Sequence, residues 1–330
     1  MKRIARLIVV AIVASSSGSW AGEPTSFLSL EAKIPLGQVS GRIDHLAIDL
    51  HRKRLFVAEL GNDSVGVVNL GAGKTERTLT GLREPQGVGY EPTTDTLYIA
   101  NAADGSVRLF EGPELKSVGG IALGDDADNI RIDPRGKRVF IGYGKGALAI
   151  LDPARRAKVR DIPLAGHPES FQLDPESDRA FVNVPDAQQI AVVNLIAGRQ
   201  TATWHFPQAR ANFPMAFDVV SRQVFAAYRR PAKLVAFNVD DGGIESALDL
   251  CDDADDLFVD QRRNRLYATC GEGVVDIFER RGGEIVRLGH VPTASGTRTS
   301  LFVPELDRLY VAVRTTLREP AAIWVFRPTP

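Results

Sequence analysis

The chain is predicted to be all-β, a seven-bladed β-propeller of four-stranded antiparallel blades in which an N-terminal strand closes the last blade. Three observations lead there. An apolar-aromatic pair recurs seven times, as Leu55-Phe56, Leu97-Tyr98, Val139-Phe140, Ala180-Phe181, Val224-Phe225, Leu266-Tyr267 and Leu309-Tyr310, with the aromatic positions 42, 42, 41, 44, 42 and 43 residues apart. Each of the first six copies holds four short strand-like runs in about 42 residues without helical periodicity, the pattern of a propeller blade. The seventh copy lacks a fourth strand, and an unclaimed strand precedes the first copy.

The N-terminal segment MKRIARLIVVAIVASSSGSWAGEP begins with Lys2, Arg3 and Arg6, continues as an apolar run from Leu7 to Ala14 and reaches small residues through Ser19-Trp20-Ala21. This is the layout of a secretory signal peptide cleaved after Ala21, and the apolar run is too short to cross a bilayer. A signal peptide over 1–21 and a single propeller domain over 22–330 are expected, with no membrane span after cleavage.

Next comes the orphan strand, Phe27 to Leu36. Pairing it with the third strand of the last copy, Ile323-Trp324-Val325-Phe326, would close the ring and remove exposed sheet edges. Within each copy the first strand carries Ile48, Tyr90, Ile132, Leu173, Phe217, Val259 or Phe302 eight residues before the aromatic marker. A turn follows, opened by Asp49, Glu91, Asp133, Asp174, Asp218 or Asp260 in six copies, acids that suit turn initiation. The second strand holds the marker. The third is a run such as Val65-Gly66-Val67-Val68 or Ile190-Ala191-Val192-Val193, and the fourth is more variable. Strict alternation is missing because blades pack on both faces, so inner strands read as continuous apolar runs.

Composition agrees with one large core: 44% of residues are hydrophobic and 25% charged. Loss of Lys2, Arg3 and Arg6 with the leader lowers the 40 basic residues to 37 against 41 acidic ones, a net charge of −4 that offers nucleic acid no general attraction.

The stretches LYIANAADGSVRLF, RLFVAELGNDSVGVVNL and VFIGYGKGALAILDP resemble repeats of the YVTN family of β-propellers, secreted proteins related in architecture to WD-repeat domains. The resemblance covers essentially the whole mature chain. It implies export, with the periplasm as the expected location and extracellular release as the alternative, and a monomer. It implies little about activity, because propellers host binding proteins, hydrolases and redox enzymes alike.

In a propeller, the loops entering the innermost strand surround one mouth of the axial channel, the default place for a ligand. The residues twelve before each marker are Asp44, Gln86, Asp128, Glu169, Phe213, Asp255 and Arg298, and neighbours add His45, Asp126, Asn129, His167, Asp253 and Asp256. The ring is mainly acidic. It can take a divalent cation or a cationic ligand, or its carboxylates can cap turns and pair with Arg42, Arg131 and Arg298. Two acidic loops, LGDDADNI at 123–130 and LCDDADDL at 250–257, hold the same blade position three steps apart, roughly 154° around a seven-fold ring. Loops of blades five and seven supply Arg229, Arg230, Arg314 and Arg318, which could dock an anionic or protein partner.

No organic cofactor is expected. The five histidines are too few for a His-rich copper cluster, although His45 and His167 fall near the mouth. There is no CxxCH, CxxC, GxSxG, HExxH or phosphate-cradling loop, so no catalytic residue can be named. Cys251 and Cys270 fall at one edge of the sixth blade and are candidates for a disulfide. The expected role is a binding scaffold acting through the mouth. The alternative is a metal-dependent hydrolase of the propeller lactonase kind, in which Glu169, Asn129 and Asp255 would hold the metal, or an oxidoreductase-associated propeller.

Overall fold

Seven four-stranded antiparallel sheets follow one another around a central axis. The computed structural model describes residues 27–133, 135 and 138–330; the expected signal peptide lies outside them. Blade 1 runs from the inside outward as Leu46–Asp49, Arg54–Glu59, Ser64–Asn69 and Lys74–Leu79. Blades 2 to 6 repeat this order over 85–122, 127–163, 171–204, 210–249 and 254–292. Blade 7 consists of Ser300–Val303, Arg308–Val313 and Ala322–Pro328, and its outer strand is the N-terminal Leu28–Pro35, paired from Leu28 with Pro328 to Pro35 with Ala322. The ring therefore closes by joining the two ends of the chain.

The recurring aromatic does the same work in every blade. It lies on the second strand, is buried in all seven copies, and packs on the second strand of the next blade. Phe56 and Ala58 cluster with Leu97 and Ile99 of blade 2, whereas Leu55 and Val57 of the same strand turn the other way to meet Tyr310 and Ala312 of blade 7. Successive side chains of a strand point to opposite faces, and here both faces are interior. Burying one such Phe contributes about 2–3 kcal/mol. The outer strands see solvent on both sides, and Lys74–Leu79 and Ala157–Pro163 are mostly exposed, which is why they vary.

The six turn-opening acids share a second role, at the end of the channel away from the mouth. Each is buried and accepts hydrogen bonds from main-chain N–H groups two or three residues on, as Asp49 does from Arg52, Glu91 from Thr93 and Thr94, Asp174 from Glu176, and Asp260 from Arg262 and Arg263. Arginines carry these turns across blade boundaries: Arg52 binds both Asp49 and Asp95 of blade 2, Arg222 reaches back to Asp174 of blade 4, and Arg263 joins Asp260 to Asp307 of blade 7. Satisfied in this way, the carboxylates act as turn fasteners.

Candidate functional site at the channel mouth

Bulges aim the ring residues at the axis. Pairing between first and second strands slips between Pro85 and Val88, between Ala127 and Ile130, between Asn212 and Met215, and between Ala254 and Asp256. Gln86, Asp128, Phe213 and Asp255 sit inside these irregularities, which turn side chains out of the regular alternation. Asp44, Glu169 and Arg298 reach the same level from just before the first strands of blades 1, 4 and 7. Gly87 permits the close approach of blades 2 and 3, since a Cβ there would run into the main-chain carbonyl of Asp128.

All seven ring residues line one cavity of about 180 Å³, together with Arg42, His45, Asp126, His167 and Arg229. Its charges are distributed unevenly. On the side of blades 5 to 7, Asp255 lies between two guanidinium groups: Arg229 pairs with it directly, and Arg298 Nε is 2.9 Å away. Asp253 shares both arginines, at 3.3 Å from Arg229 and 3.1 Å from Arg298. Arg229 also lies 3.9 Å above the Phe213 ring, a cation–π contact that holds it flat against the wall. In blade 1, Asp44 is paired with Arg42 at 2.7 Å.

Among the described residues, the mouth acids of blades 3 and 4 have no such guanidinium partner. Asp128 is nearest to His167 Nε2, at 3.9 Å, and its Oδ1 is buried without a hydrogen-bond partner. Asp126 accepts a 3.3 Å hydrogen bond from Gln86 and lies 3.7 Å from His167 Nδ1. Burial pushes the Glu169 carboxyl up to about 8, with the Asp128 charge adding to the effect and His167 opposing it. For His167 burial disfavours the charged ring, but Asp128, the Gly144 carbonyl and Asp126 outweigh it and raise the group to about 9. Burial would raise Asp128 too, but the charge of nearby His167, with that of His45, outweighs it and holds the carboxyl below the usual range.

Below the mouth the channel widens into a second cavity of about 350 Å³, walled by Ile48, Tyr90, Ile132 and Phe258 and entered past His45, Asp256 and Arg131. Asp256 accepts the Ser300 N–H at 2.7 Å and faces His45 Nδ1 at 3.7 Å. Burial lifts its carboxyl to about 7 against the pull of His45.

Comparison with known proteins places the fold and nothing narrower. No protein-family model matches the sequence, and no curated protein matches it. Among solved structures, a chain of Kuenenia stuttgartiensis hydrazine synthase is 17% identical with a TM-score of 0.73, over 86% of this chain and 96% of that one. A chain from the mitotic checkpoint complex is 12% identical with a TM-score of 0.77, over 98% of each. The chain is thus a seven-bladed β-propeller, and the likeness to these structures is one of fold alone.

Several sequence expectations change in the folded chain. Arg229 was grouped with the exposed basic loops, yet it turns into the mouth, because the Phe213 face and two aspartates converge on it. Arg230 stays outside, in a cleft with Asp186 and Arg210, and Arg314 and Arg318 are exposed beside a groove near Trp324. Among the described residues Arg131 pairs with no carboxylate; it donates to the carbonyls of Ile130 and Phe171 and to the Ser170 hydroxyl. Asn129 is absent from the mouth lining, so Glu169, Asn129 and Asp255 do not converge as a metal set. The two histidines also part company: His45 bridges Asp44 and Asp256, and His167 joins Asp128 and Glu169. Cys251 and Cys270 are joined in a disulfide with Cα atoms 6.0 Å apart.

Proposed function

We propose that the chain is an exported propeller that binds a small positively charged ligand in the mouth of its channel. The observation that carries this is the convergence of one residue from every blade on a single cavity in which the acids of blades 3 and 4 have no guanidinium partner among the described residues. Asp128 is buried with its Oδ1 lacking a hydrogen-bond partner among the described residues, a cost that a bound cation would offset. The leader-like N-terminus and the YVTN-like repeats support export, to the periplasm or beyond it. Arg230, Arg314 and Arg318 offer a separate surface to a protein partner.

Native mass spectrometry of the full chain recovered from the envelope fraction tests the reading, with the divalent ions zinc, manganese and calcium and the polyamines putrescine and spermidine as added probes. A retained mass, or a rise in Tm with one of these probes that Asp128→Asn abolishes, is expected. A bare polypeptide whose melting none of them alters would overturn it. A metal-dependent hydrolase is the second reading, favoured by the grouping of Asp128, His167 and Glu169; ester or lactone cleavage that EDTA stops would support it.

A further inference from the structure

One cluster in the mouth has the donors of a metal site. A carboxylate oxygen of Asp128, a ring nitrogen of His167 and a carboxylate oxygen of Glu169 all lie within 4.8 Å of one another. Asp128 is only 6% exposed, lines the cavity, and keeps Oδ1 without a hydrogen-bond partner. His167 Nδ1 stands 2.6 Å from the Gly144 carbonyl oxygen. A carbonyl can only accept, so Nδ1 carries the hydrogen and Nε2 is left facing Asp128. An outer hydrogen bond of this kind fixes the tautomer and orientation of metal-ligating histidines. Gly144, at φ +59°, allows the turn that presents this carbonyl.

We propose that Asp128, His167 and Glu169 together hold one divalent ion of the manganese-to-zinc series, an inference that rests on the mouth being a ligand site. One imidazole with two carboxylates suits Mn²⁺, Co²⁺ or Zn²⁺ better than Ca²⁺, which takes six to eight oxygens, or the soft Cu⁺, which prefers sulfur. Three protein ligands leave a position open toward the cavity, as in catalytic rather than structural sites. The matching loop of blade 6 is an internal control, because Arg229 and Arg298 already neutralise Asp255 there.

The test is calorimetric titration of the EDTA-stripped full chain with Zn²⁺, and with Co²⁺, whose visible absorption reports nitrogen and oxygen ligation. One ion per chain is expected, with affinity falling about 100-fold or more in Glu169→Gln and His167→Ala and unchanged in Asp252→Asn, an exposed acid of the blade 6 loop. Should His167→Ala fail to fold, the near-isosteric Glu169→Gln and Asp128→Asn decide, with circular dichroism confirming their fold. Failure to bind either ion, or unchanged affinity in Glu169→Gln and Asp128→Asn, would overturn the site. If that occurs while a polyamine still raises the Tm of the wild type, the ligand-binding mouth stands without a metal; if neither probe binds, both readings fall.

Discussion

The loops 123–130 and 250–257 are nearly the same sequence and nearly the same backbone. Asp126 and Asp253 both adopt a left-handed conformation, at φ +26° and +59°, and their carbonyls accept the N–H groups of Gly144 and Gly271. Asp128 and Asp255 then enter the cavity from equivalent bulges. What separates them is their neighbours. Blades 5 and 7 bring Arg229 and Arg298 to the blade 6 loop, whereas blades 2 and 4 bring Gln86, His167 and Glu169 to the blade 3 loop. One acidic loop is therefore a closed ion-pair network, and in the other no guanidinium group among the described residues pairs with Asp126 or Asp128. The lesson is that a carboxylate's role in a propeller is set by the blades on either side of it.

The largest way to break this contrast is Arg229→Ala, which leaves the largely covered Asp255 carboxylate with one cation fewer. Removing one partner of a buried pair costs about 3–5 kcal/mol, so a clear fall in the urea midpoint is expected, against a change under about 1 kcal/mol for Gln86→Ala beside the open loop. Unchanged stability in Arg229→Ala would mean that water already replaces the guanidinium.

A second difference is covalent. Blade 6 is tied by Cys251–Cys270, and blade 3 has Gly124 and Tyr143 at the matching positions. Reduction of the bond should destabilise by about 3 kcal/mol, the entropy of opening a loop of this length, read as a lower Tm in the presence of a phosphine reductant.

The two ends of the channel respond to pH in opposite senses. Asp256 ionises in the folded chain only near pH 7, so its penalty begins as pH rises past the usual carboxylate value and is complete above about 7. Asp256→Asn, which keeps an acceptor for Ser300 N–H and removes the charge facing His45, Asp255 and Arg131, should stabilise by about 2 kcal/mol at pH 8 and by much less at pH 4. At the far end, burial would raise Asp174, but hydrogen bonds from Ser177, Arg222 and the Glu176 N–H hold it below the usual range. Its contribution is present at neutral pH and lost as pH falls through that lowered value. Asp174→Asn should therefore cost about 2 kcal/mol at pH 7, with the gap to wild type closing in acid. Melting curves at three pH values check both signs. The smallest effect is expected at the rim, where Arg318→Ala, an exposed side chain, should change Tm by no more than about 0.5 kcal/mol allows.

The sequence by itself determined the number of blades, the strand order, the closing N-terminal strand and the seven ring positions, one per blade, that line the mouth. Its physical basis is repetition: when every copy follows one backbone path, a fixed offset from the buried aromatic becomes a fixed height and direction in space. Only the tertiary structure decided which acids are neutralised. The guanidinium groups that hold Asp255 come from residues 26 and 43 positions away, on two other blades, and whether Arg229 points outward or lies on Phe213 depends on packing that no offset encodes. The direction in which burial and partners move each carboxyl follows from the same encounters. Asn129 and Asp128 are adjacent in the chain, and the strand's alternation together with its bulge places Asp128 in the cavity beside His167 and leaves Asn129 out of it.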